Sequence, residues 1–214
     1  SLAREKFKEG LRIKAVSHND KYNKLTAWCA EKEEYLKVRE DIASIAAADE
    51  NISLLGIFDE DFKGMHPSAV EPLKALGQEI LTAEYKTQYS QYVYHLPDEI
   101  TGNEADIDAK WAQLAELSAE KRKYLDDSLA REKRKEELRL EFASTAGDFS
   151  RWSKDVAENF AIALFGFTLE EVEAYAAELA QSEAATAEAL AEKKGAYEAV
   201  WAEMQGMGFS DNVY

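Results

Sequence analysis

Residues 107–160 read IDAKWAQLAELSAEKRKYLDDSLAREKRKEELRLEFASTAGDFSRWSKDVAENF, with no Pro and a single Gly, Gly147. Ala, Leu, Glu, Lys and Arg dominate the stretch, and these residues lose least on entering a helix. Apolar residues recur at steps of three and four: Ile107, Trp111, Leu114, Leu117, Leu125 and Leu129, then Leu138, Phe142, Phe149, Trp152, Val156 and Phe160. Between the two series, Arg131 to Glu137 holds no apolar residue. The spacing predicts one long helix with two buried ends and a solvated middle. At about 1.5 Å per residue it would span roughly 80 Å. That is too long for one globule, so the expectation is a helix shared by two helical bundles.

Towards the N-terminus, Leu11, Val16 (or Ala15 in its place), Tyr22, Leu25, Trp28, Tyr35, Ile42 and Ile45 keep a helical period. They predict a first helix over 1–46 and a turn at Ala47 to Asn51. A second helix is expected over 52–91, through Leu55, Phe58, Phe62, Leu73, Leu76 and Ile80. It should kink near Pro67, because Pro brings no amide donor and clashes with the preceding turn. Ser68 with Glu71 resembles a capping box that restarts it. VYHLPDEITGNE at 93–104, with Pro97 and Gly102 as punctuation, predicts a loop, and the long helix should then run over 105–163. Phe165-Gly166-Phe167 reads as a tight turn and Thr168 with Glu171 as a second capping box. The last helix should cover 168–206, ended by Gly206 and Gly208. The fold class is all-α, with no sheet.

A hydrophobic content of 46% with 32% charged residues supports a packed core and argues against disorder. The net charge of -16 argues against nucleic acid and anionic membrane surfaces as partners. No run of eighteen apolar residues and no signal peptide is found, so membrane insertion is not expected. One cysteine, Cys29, allows no internal disulfide and fits a reducing compartment. Ser1 in place of Met points to a piece of a longer protein.

An internal repeat is visible. SLAREKFKEGLRI at Ser1–Ile13 matches SLAREKRKEELRL at Ser128–Leu140. Each copy is followed by an aromatic residue and a Trp: Tyr22 with Trp28, and Phe149 with Trp152. Each period holds a helix, an antiparallel second helix and a return helix, which is a three-helix unit.

These residues resemble the spectrin-repeat family, and within it the α-actinin rods. A Trp in the first helix of each unit, Trp28 and Trp152, carries part of the likeness, with Trp111 in the third helix of the first unit. LRLEFASTAGDFSRW at 138–152, AVSHNDKYNKL at 15–25 and LPDEITGNEADIDAKW at 96–111 carry the rest, while Ile42 to Pro67 departs from the pattern. The resemblance implies tandem spectrin-like three-helix bundles sharing a continuous helix. Their expected limits are a neck at 1–17, a first repeat at 18–135 and a second at 136–214, which lacks its third helix. It further implies a structural rod and dimerisation module of an actin cross-linker in the cytoplasmic actin cytoskeleton. Such a rod dimerises antiparallel and meets F-actin through a head domain outside this stretch. The competing class is a BAR-like membrane-associated helical module or a general coiled-coil adaptor. A BAR surface needs basic charge, which the acidic total opposes.

Trp28, Trp111, Leu114, Phe142, Phe149, Trp152, Tyr175 and Trp201 are the expected core, since aromatics at helical spacing serve as buried area. Asp59 to Gly64 has the opening of a calcium loop, but Lys63 and Val70 stand where oxygen ligands are needed. His18, His66 and His95 lack zinc-site spacing. Cys29 is read as a structural thiol. No phosphate loop, nucleophile elbow or metal constellation is present, so no enzyme, cofactor or metal is expected. Tyr89, Tyr92 and Tyr94 are read as helix-end packing, with a partner-binding patch as the alternative. The expected dimer interface sets the basic opening residues Arg4, Lys8 and Arg12 against the partner's acidic last helix, at Glu188 and Glu192. Such exposed pairs choose orientation more than they supply affinity.

Overall fold

The computed structural model describes residues 2–162 and 166–214. Among the described residues five α-helices form, in chain order: α1 Leu2–Lys37, α2 Ile45–Met65, α3 Glu71–Thr82, α4 Pro97–Ala161 and α5 Leu169–Gly206. A π-helical turn, His66–Val70, joins α2 to α3. Between α3 and α4 lies a two-stranded antiparallel hairpin, β1 Glu84–Lys86 and β2 Gln91–Val93, with Tyr85 opposite Tyr92. The chain is therefore all-α apart from this hairpin. It divides into two compact units, Ser1–Leu129 and Ala130–Tyr214. Helix α4 runs unbroken through Gly147 and supplies residues to both.

The first unit packs α1, the α2–α3 segment joined by the π turn, and the first part of α4 together. Its core joins Cys29 and Leu36 of α1, Ala48, Leu55 and Phe58 of α2, and Leu114 and Leu125 of α4. A second cluster joins Leu25 to Val70, Leu73 and Ile107. In the second unit the end of α5 and the residues after it fold back on α4. Leu138, Val200 and Met204 are buried there, with Phe142, Trp201, Met207 and Phe209 packed against them. Gly208, at φ 76°, makes the left-handed turn that allows this return. Arg139 then holds Asp211 at 2.8 Å, and Asn212 donates to the Arg139 carbonyl at 2.8 Å.

The two copies of the repeat behave alike. Leu11 and Leu138, at matching positions, are both buried. Arg12 pairs with Glu9, and Arg139 with Glu136. Lys8 lies over the Tyr92 ring and Lys135 over the Phe209 ring.

Several boundaries correct the sequence reading. Helix α1 stops at Lys37 rather than 46, because side chains from elsewhere take its last carbonyls. Lys121 Nζ donates to the carbonyls of Tyr35 (3.2 Å) and Val38 (3.0 Å), and Arg39 to that of Leu36. Ile42 is buried from the connecting segment, so its apolar character marks a core loop. Ser44 caps α2 by accepting the Ala47 amide at 3.1 Å, so the expected turn at Ala47 to Asn51 is helix. Ser68 turns back to the Gly64 carbonyl within the π turn and caps nothing. The second helix ends at Thr82, not 91, where Tyr85 and Tyr92 alternate out of helical period and pack on Phe7 at 5.7 and 6.4 Å. Pro97, Asp98 and Glu99 open α4 eight residues before position 105, placing a Pro and two acids where a helix start favours them. The middle of α4 is not wholly solvated. Ser128 and Glu132 are buried, and Glu132 is tolerated there because it accepts from Lys135 at 2.9 Å and Arg131 at 3.4 Å.

The capping box at the start of α5 forms as expected. Thr168 accepts the Glu171 amide, and Glu171 Oε2 accepts the amides of Phe167 (2.8 Å) and Thr168 (3.0 Å). Gly166 makes room for it, since a Cβ there would lie 2.1 Å from the Glu171 Cβ. Phe165, in the expected tight turn, and residue 163, the expected end of the long helix, lie outside the described residues.

Candidate functional site

In the first unit the expected core aromatics meet face to face. Trp28 stacks on Trp111 at 5.6 Å, and Phe62 on Trp111 at 4.4 Å. Both indoles pack against the core of the first unit with only an edge exposed, and of the eight expected core residues Leu114 is fully buried. Phe142, Phe149, Trp152, Tyr175 and Trp201 are half-buried. For these five the physical reason is that two helices of the second unit face each other and, among the described residues, no third covers the outward side of their aromatic rows. Phe149 reaches Tyr197 at 5.1 Å and Trp152 at 6.1 Å, and Phe142 reaches Trp201 at 5.5 Å.

Beyond these rings the gap between α4 and α5 stays open. A cavity of about 400 Å³ lies between Val156, Asn159 and Phe160 on one side and Tyr175, Leu179 and Thr186 on the other. Around it Phe160, Ile162, Leu169 and Val172 are exposed, Ile162 at 65% and Leu169 at 76%. Singly exposed apolar residues are ordinary, but Phe160 and Ile162 are exposed together in the wall of one cavity, which is how an interaction surface looks. Glu188 and Glu192 are exposed on the same helix, without a cation partner among the described residues. Glu178 is the acidic side chain that lines the cavity itself, whereas Glu188 and Glu192 lie further along α5 and not in its lining.

The basic residues expected to face it are partly occupied. Lys8 binds Glu5, and Arg12 is held by Glu9 through two hydrogen bonds at 2.7 and 2.8 Å. Arg4 is half-buried with an unpartnered buried Nε. The outward face of α1 instead presents Leu2, Ile13 and Val16, the last two 57% and 51% exposed. This corrects the place of Val16 in the apolar series: it lies with Ile13 on the side away from Leu11, His18 and Leu25, and Ala15, the other candidate for that position, is the half-buried one.

The remaining candidates fall into structural roles. Asp59 lies within α2 and accepts from Ser118 and Arg122, so the calcium-like run is helix. His18 is buried, with Nε2 at 3.2 Å from Glu104 Oε1. Burial pushes the Cys29 thiol up to about 11, which leaves it protonated and unreactive near neutrality. Tyr92 packs on Phe7, while Tyr89 at the hairpin tip is 89% exposed. Among the described residues no group of three His, Cys, Asp or Glu side chains is gathered for a metal, and no helix is long and apolar enough to cross a membrane. No protein-family model matches the chain.

Proposed function

We propose that this chain is a spacer and dimerisation segment of an actin cross-linking protein of the α-actinin type, with tandem spectrin-like units. The observation that supports this most is a single unbroken helix, Pro97–Ala161, common to the first unit and to a two-helix second unit with an open apolar face. In this reading a second copy covers the open face, and the pair runs antiparallel. Charge favours that direction. Residues 1–48 carry ten Lys and Arg against eight Asp and Glu, whereas residues 151–214 carry four against twelve. Actin is met by heads at opposite ends, outside this segment, and the assembly belongs to the actin cytoskeleton.

The test is solution mass against concentration, followed by cross-linking. The buried Cys29 leaves engineered thiols at positions 4 and 192 as the reactive ones. A concentration-dependent dimer with dominant 4-to-192 cross-links between copies is expected. A strict monomer, or dominant 4-to-4 cross-links, would overturn the proposal.

A further inference from the structure

We infer that the groove between α1 and the π turn is a docking site for a short acidic peptide carrying an apolar anchor, presented by a partner protein. The groove holds about 360 Å³, and its floor is Leu25, Trp28, Met65 and Ala69. Lys21 and Lys24 stand on its rim, one helical turn apart. Neither ammonium has a carboxylate partner among the described residues, in a chain of 42 acidic side chains against 26 basic ones. Most lysines and arginines of the first unit are paired, from Lys8 and Lys14 to Lys110 and Lys121. Two free cations side by side over an apolar floor are therefore a local departure from the charge of the molecule.

The turn itself is unusual. Its Glu71 amide bonds to the His66 carbonyl, one residue further back than in an α-helix, and Pro67 within it brings no amide. The Ser68 hydroxyl is spent on the Gly64 carbonyl, so the lysines are the charged recognition groups of the groove. An open groove of this size shelters one large apolar side chain, and the ammoniums fit carboxylates flanking it. An acyl chain needs most of its surface enclosed, which this groove does not provide. A bilayer rich in anionic lipid meets the repulsion of the net charge of -16.

The test uses the full chain and fluorescein-labelled hexapeptides followed by anisotropy. EDFLED should bind saturably and lose affinity as salt is raised, while KNFLKN and the anchorless EDSSED should bind at least about tenfold more weakly. K21E/K24E should weaken EDFLED about tenfold at an unchanged unfolding midpoint, since both side chains are exposed. The control K133E/K154E, which reverses two exposed lysines elsewhere, should not. No EDFLED binding at millimolar peptide, or equal losses in the two double variants, would overturn the site. Lys21- and Lys24-dependent capture by phosphatidylserine vesicles without peptide binding would overturn the choice of ligand.

Discussion

Lys121 shows how one side chain can set the limit of a distant helix. It is fully buried on α4, its Nζ binds two carbonyls at the end of α1 and Glu40 at 2.7 Å, and it lies 4.5 Å from the Tyr35 ring centre. Each donor hydrogen thus has an oxygen, which is the condition for burying an ammonium. Removing it leaves helix-end carbonyls and a carboxylate without their cation. Lys121→Ala should therefore cost about 3–5 kcal/mol, whereas the exposed Lys133→Ala should stay within about 0.5 kcal/mol. Urea midpoints of the two variants check this, and equal midpoints would count against the capping role.

At the level of elements, α5 depends on its first turn. Glu171 accepts the Phe167 and Thr168 amides, which holds its carboxyl below the usual range. A carboxyl lowered on folding stabilises above its unfolded value of about 4.3 and loses that contribution as pH falls through the lower folded value. The start of α5 should fray in mildly acidic solution below about pH 4, before the first unit opens. Glu171→Gln, which keeps shape but not charge, should flatten that pH dependence. Amide exchange at residues 169–173, followed from pH 6 to pH 3, reads both effects. An identical acid response in the variant would remove Glu171 as its cause. Elsewhere the elements were less legible. The Thr168–Glu171 signature lies within four residues and needs no distant partner, but the hairpin needs Phe7 beneath Tyr85 and Tyr92.

For the whole molecule, the contrast between the units carries the prediction. The first unit encloses most of the buried apolar residues, from Leu11 to Leu125, while the second encloses Leu138, Val200 and Met204. Two helices bury too little area to balance chain entropy well. In dilute monomeric solution, amides at 149–161 and 169–186 should exchange faster than those of the first unit, and they should slow as self-association proceeds. Phe160→Asp with Leu169→Asp should weaken association by about tenfold or more by placing charge in the apolar face, without shifting the unfolding of the first unit. Sedimentation velocity of the double variant measures this; an unchanged dimer would place the interface elsewhere.

What the sequence determined by itself is local. Helical period and the absence of Pro foretold that α4 passes through Gly147 without a break, and a four-residue signature foretold the cap at Thr168. The repeat of Ser1–Ile13 at Ser128–Leu140 is legible in the sequence, and the structure buries its matching leucines, Leu11 and Leu138. Only the tertiary structure decided where α1 ends, that 84–93 is a hairpin, that Glu132 is buried, and that the aromatics of the second unit keep one side exposed. Each of these depends on groups far apart in the chain, as Lys121 and the Tyr35 carbonyl are, 86 residues apart. Hydrophobic period records which face of a helix is apolar. It does not record whether another segment arrives to cover that face, because covering it is a property of the packed chain and not of any one turn.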